Sequence, residues 1–199
     1  AGTRNDPICS IASQEIIRAP THTPKDLSDK LLVDSIKISK VPNPHDFFNF
    51  VVTAAVLSEW VCKFYKRIMP GDLIKTINGE AEFGLPKESE DWITDKSCLP
   101  NPAQGACRHI CNAMRICWGT ANASKHYYWQ KSSGVRSISS EPEIGNMYSY
   151  FFASTGEGVF MNYNGEYYTI EQVKDILVQF YPKFIEYLED LQDGNEYAP

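Results

Sequence analysis

Asn122-Ala-Ser-Lys125-His126 is the densest gathering of chemically versatile side chains in the sequence. An ammonium neutralises phosphate charge and an imidazole shuttles protons near neutral pH. An amide, a hydroxyl, an ammonium and an imidazole at one helix end therefore have the composition to bind or cleave a phosphodiester. The same residue types suit a plain helix terminus, because Lys and His are stabilised at its negative end. Upstream, Asp46, Asn49 and Thr53 stand at i, i+3 and i+7, so a helix presents them on one face. Antiparallel packing of that helix against the one ending at His126 would set Asp46 beside the imidazole. Arg115, deeper in the second helix, would then reach Asp46 or Thr53. As a catalytic set, His126 acts as acid or base, Lys125 or Arg115 steadies phosphate and Asp46 orients the imidazole. Asn122 completes that set, and Asn49, Thr53 and Arg115 bind. As a structural set, the same groups form a buried polar network that fixes helix register.

Other constellations carry less chemistry. Cys107, His109, Cys111 and Cys117 share one helix, where i, i+2 and i+4 side chains do not converge on a metal, so no metal site is expected. Gly156-Glu-Gly158 lacks the helix start of a phosphate loop, and no cofactor is expected. Tyr127, Tyr128, Trp129, Tyr148, Tyr150, Phe151 and Phe152 have the rings to stack on bases, although aromatics more often seal a sheet against helices.

The elements that must position these residues are written in caps and stripes. Thr23-Pro24, Asn43-Pro44 and Asn101-Pro102 pair a capping side chain with a proline that forfeits no helical hydrogen bond, so each predicts a helix start. Helices are expected near 24 to 39, 44 to 66 and 102 to 125. The second is apolar over more than half its circumference, through Phe47, Phe48, Val51, Val52, Ala55, Val56, Trp60, Val61, Phe64 and Tyr65. The third carries Ala106, Ile110, Ala113, Met114, Cys117 and Ala121 at 3 and 4 spacing. Residues 67–100 read as a connector with one short helix near Glu90 to Lys96. Strands are expected at Met147 to Ala153, Val159 to Tyr163 and Glu166 to Tyr168, the last two joined by Asn164-Gly165, a strong hairpin signal. Thr169 and Gln172 read as a capping box ahead of the stripe Val173, Ile176, Leu177, Phe180, Phe184, Tyr187, Leu188, Leu191. Pro182 is expected to kink that last helix, and the acidic residues after Leu188 to be solvated.

The fold class is thus mainly α: a bundle of about four principal helices with a small three-stranded antiparallel sheet before the C-terminal helix. One domain over 23–199 follows an arm over 1–22, with the connector at 67–100 and the sheet at 147–168. A chain of 199 residues that is 43% hydrophobic has enough apolar material for one continuous core. A formal charge of -6 argues against a surface devoted to coating duplex DNA. Phe47 to Tyr65 is interrupted by Asn49, Thr53, Ser58, Glu59 and Lys63, so no membrane span is expected. No signal peptide is visible. Cys107, Cys111 and Cys117 on one helix favour reduced core thiols over bridges, and with them a cytoplasmic location.

The run Pro44-His-Asp46-Phe-Phe-Asn49, Thr53 and Trp60, joined to Cys111-Asn112 and Asn122-Ala-Ser-Lys125-His126, resembles a group of bacterial helical proteins with no assigned activity. The likeness spans most of the chain after residue 43. More distantly, the helix pair with a terminal His is similar to the higher-eukaryote-and-prokaryote nucleotide-binding (HEPN) superfamily, helical bundles that include RNases of toxin and phage-defence systems. That resemblance implies a metal-independent phosphodiesterase using His126 across a homodimer. The sequence departs from the superfamily's Arg, four to six residues, His motif: Gly119, Thr120 and Ala121 occupy the arginine positions, and the nearest arginine is Arg115. The first expectation is a binding or interaction module with a polar network between two helices. The alternative is an RNA- or nucleotide-directed phosphodiesterase, and the partners in view are RNA, a nucleotide or a protein.

Overall fold

The computed structural model describes residues 23–39, 43–81, 84–126, 135–137, 160–163 and 165–196. The protein is mainly helical. Helix α1 (Pro24–Ser35) starts in a complete capping box: Asp26 N–H donates to Thr23 Oγ1 at 3.3 Å and Thr23 N–H donates to Asp26 Oδ2 at 3.0 Å. It ends at Ser35, short of the expected 39, because Ile38 N–H turns back onto the Ser35 carbonyl and carries the Ile38 side chain into the core. Helix α2 (Pro44–Phe64) is capped by Asn43, whose Oδ1 accepts from His45 N–H at 2.8 Å. Phe47, Phe50, Val51, Ala54, Leu57 and Val61 are buried along it, which makes it the central helix. Phe48 and Phe64, expected inside, are exposed.

By length and composition His45–Phe64 is apolar enough to cross a membrane, contrary to the sequence expectation, but 56% of its apolar window is buried within the fold. The apolar face is turned to neighbouring helices.

The connector holds a helix that the sequence reading missed. In α3 (Gly71–Ile77), Leu73 and Ile77 pack one turn apart on the core. Pro70-Gly71 and Asn78-Gly79 mark its two ends. Helix α4 (Ser89–Trp92) sits against the last helix through Trp92, whose ring lies 5.9 Å from Phe180 and 5.6 Å from Tyr187. Asn101-Pro102 opens only a 3-10 turn, Pro102–Gln104. Gly105 at φ 80° breaks the chain, and α5 (Ala106–His126) starts after it.

The cap of α5 comes from elsewhere: Glu90 accepts from Ala106 N–H at 2.6 Å and from Cys107 N–H at 3.0 Å. A Cβ at Gly105 would lie 2.9 Å from Glu90 Oε1, so glycine also leaves room for that carboxylate. Burial raises the Glu90 carboxyl pKa, but the two N–H donors, the Cys107 thiol and Lys96 together hold it below its ordinary value.

Ala106, Ile110, Ala113, Met114, Cys117 and Ala121 are all buried, as their spacing predicts. Strand β1 (Val135–Ser137) pairs antiparallel with β2 (Phe160–Tyr163), which pairs antiparallel with β3 (Glu166–Thr169). The expected strand over Met147 to Ala153 lies outside the described residues. Gly165, at φ 81°, supplies the left-handed backbone that the two-residue β2–β3 turn needs.

Helix α6 (Ile170–Glu196) begins with the expected capping box, Gln172 N–H to Thr169 Oγ1 at 3.1 Å and Thr169 N–H to Gln172 Oε1 at 2.9 Å. It continues through Pro182, and Val173, Ile176, Leu177, Phe180, Phe184 and Leu188 are fully enclosed. Its tail is not simply solvated: burial first, then Glu189, raise the Tyr65 hydroxyl to about 12. The core is formed where α2 meets α5 and α1, and where α6 crosses α1 and α5.

Candidate functional site

The polar stripe of α2 finds partners other than those expected. Thr53 is buried, donates to Asp34 Oδ2 at 2.8 Å and accepts from Lys30 Nζ at 2.7 Å; Lys30 also pairs directly with Asp34. Its partner helix is therefore α1, whose Lys30 and Asp34 stand four residues apart on one face. Asn49 is exposed and Asp46 half-buried, and no hydrogen bond or ion pair joins Asp46 to another described side chain.

Arg115 does not reach Asp46 or Thr53 either. Its Nη2 donates to the Ala81 carbonyl at 2.6 Å, fastening the middle of the connector onto α5. Helix α5 does run to His126, and Asn122 is half-buried on it. The side chains of Lys125 and His126, and so the proposed Asp46–His126 pairing, lie outside the described residues.

A different polar cluster stands between α5 and β3. His109 is fully enclosed, with Nδ1 2.7 Å from the Tyr168 hydroxyl and Nε2 2.8 Å from the Asn101 carbonyl oxygen. A carbonyl only accepts, so Nε2 carries a proton. The Asn112 amide donates to the Tyr168 oxygen at 2.8 Å and to Glu166 Oε2 at 3.3 Å, and Tyr168 O–H points at the same carboxylate oxygen, 2.9 Å away. Arg108 Nε lies 3.8 Å from Glu166 Oε2 and His109 Nδ1 3.6 Å from it.

Tyr168 has one hydroxyl proton, and a neutral His109 and Glu166 compete for it. An imidazolium would donate from Nδ1 and let the tyrosine serve Glu166 alone. Burial foremost, with the Glu166 carboxylate adding against the Asn112 donor, holds the Tyr168 hydroxyl protonated well above the ordinary tyrosine range. Sequence reasoning named His109 as a poor metal ligand. The signal it passed over was His109 with Asn112 at i, i+3 on a helix and Glu166 with Tyr168 at i, i+2 on a strand, two pairs that each share a face.

A concave surface among the described residues lies elsewhere. A groove of about 510 Å³ runs between the end of α2, α3 and α5, with Cys62, Ile74, Ile77 and Trp118 on its walls and Lys63 and Lys66 beside them. Trp118 is 49% exposed, an unusual position for the largest apolar ring type. Burial, then Glu59, pushes the Cys62 thiol up to about 11, so it stays protonated at neutral pH and is a poor nucleophile. Cys98 is likewise raised to about 11 and Cys107 to about 12, both by burial first. Cys62, Cys98, Cys107 and Cys117 are free thiols.

No protein-family model matches the chain, and no curated protein and no solved structure is detectably similar to it.

Proposed function

We propose that the protein is a binding module of a bacterial cytosolic system, and that the groove beside Trp118 is where it takes its ligand. The observation that carries this reading is the half-exposed indole set among Cys62, Ile74 and Ile77 in a cavity of about 510 Å³. That volume is typical of sites for small organic ligands, which combine an apolar lining with a few polar groups. Two groups point the same way: the nitrogens of enclosed His109 are committed to the Tyr168 hydroxyl and the Asn101 carbonyl, and the groove's thiol is held protonated. Protonated, unbridged thiols also support the cytoplasmic assignment. In the same reading the bundle carries a small three-stranded sheet ahead of its last helix, and that sheet, with half-exposed Tyr167, and the connector serve as protein contact surfaces.

The test is an NMR titration with indole, a neutral aromatic probe. Shifts should concentrate at Ile74, Ile77 and the Trp118 indole N–H and vanish in Trp118→Ala. Shifts scattered over the surface, or unchanged by that substitution, would refute the assignment.

A second reading is the HEPN-like phosphodiesterase of RNA or nucleotides. Its support is that α5 extends to His126, which gathers Asn122, Lys125 and His126 in its last turns. RNA hydrolysis by the wild type, abolished in His126→Ala at unchanged melting temperature, would replace the binding reading with this one.

A further inference from the structure

We infer that the groove beside Trp118 recognises a nucleotide unit, the base stacked on the indole and the phosphate held at Lys66. The inference rests on the groove being the binding site, and adds the ligand's chemistry. Two features of different origin converge there. The first is the ring: Trp118 is 49% exposed in a groove whose other apolar lining is Cys62, Ile74 and Ile77, so a planar π-face is available to a ligand beside apolar surface. Stacking on such a face tolerates any base, because every base has a π-face of its own.

The second is charge. Lys63 and Lys66 line the groove against one carboxylate, Glu59, in a chain whose formal charge is -6. Lys63 is partly neutralised by Glu59 at 3.6 Å and Lys75 by Asp72 at 3.8 Å. Lys66 has no carboxylate partner among the described residues, and it lines the groove. A local excess of cations in an acidic protein favours an anion at that place and adds nothing for a neutral aromatic of the same shape. A planar ring with an attached phosphate answers both features. A fatty chain would leave the indole face and the ammonium unused, and a bare inorganic anion would leave the apolar wall wet.

Isothermal titration of the full chain with AMP, adenosine, inorganic phosphate and a uridine octanucleotide tests this. AMP should bind more tightly than either adenosine or phosphate. Trp118→Ala should weaken AMP by about tenfold, as expected for loss of one stacked base. Lys66→Gln should remove most of the preference for AMP over adenosine. Tighter binding of the octanucleotide than of AMP assigns the unit to a single strand, and the reverse order to a free nucleotide; both support the inference. It is overturned if neither AMP nor the octanucleotide binds, or if both bind equally well to Trp118→Ala. Retained indole shifts alongside absent AMP binding would sink the nucleotide inference alone, whereas absence of both would remove the groove as a site. Both positions are solvent-exposed, and unchanged melting of each variant checks that the fold is kept.

Discussion

Tyr168→Phe should cost the protein a large part of its stability while changing a single oxygen. The ring is fully enclosed, and its hydroxyl accepts from Asn112 at 2.8 Å, donates to Glu166 at 2.9 Å and lies 2.7 Å from His109 Nδ1. Phenylalanine fills the same volume, so little is lost in packing. What remains is three buried groups short of a partner. Asn112 retains its longer bond to Glu166 Oε2, and His109 retains Asn101, but Nδ1 of His109 loses its hydrogen bond and Oε2 of Glu166 loses the shorter of its two. Glu166 can least absorb the change, because its Oε1 is already buried without a hydrogen bond to any described residue. Leaving a buried polar group unsatisfied costs about 1–3 kcal/mol, so the substitution should lower the unfolding free energy by about 2–4 kcal/mol. For a chain of this length that is a fall in Tm of roughly 4–16 °C. Urea denaturation followed by circular dichroism reads the difference, with Tyr167→Phe as control, since that side chain is 54% exposed. A Tyr168→Phe protein within about 0.5 kcal/mol of the wild type, the range of ordinary surface substitutions, would refute the account of a tightly satisfied network.

Thr53→Val should destabilise by about 1–2 kcal/mol, because it keeps the shape but removes the hydroxyl between Lys30 and the buried Asp34; Lys30→Ala in the same background should then add less than it does alone, as chemical denaturation of the four proteins of the cycle would show. Glu90 has a depressed carboxyl pKa, so its contribution is fully present above the unfolded value near 4.5 and is lost as pH falls through the folded one. Glu90→Gln should accordingly be less stable than the wild type at pH 7 and converge with it in acid, and parallel melting curves across pH 7 to 3 test that. Cys62 and Cys98 run the opposite way: their pKa is raised to about 11 from 9.0, so stability should decline as pH climbs from 9 towards 11, and a Cys62→Ser, Cys98→Ser protein should show a shallower decline.

Helix starts and apolar faces were legible in the sequence, because their causes lie within a turn or two of the residues concerned. Thr23 caps with Asp26 three positions on, Thr169 with Gln172 three positions on, and the stripes of α5 and α6 repeat every three or four residues. Even the errors of boundary were local, as when Gly105 was read inside a helix that starts one residue later. The partners of the polar side chains obey no such period. Thr53 meets Asp34 across 19 residues, Arg115 meets Ala81 across 34, and His109 meets Tyr168 across 59. A hydroxyl, a guanidinium or an imidazole fits many acceptors equally well, so which one it takes is decided by which helices the buried apolar faces bring side by side. The caps and stripes therefore belong to the sequence alone, whereas the pairing of Thr53 with α1, of Glu90 with the start of α5, and the meeting of Trp118 with Lys66 in one groove exist only once the core has closed.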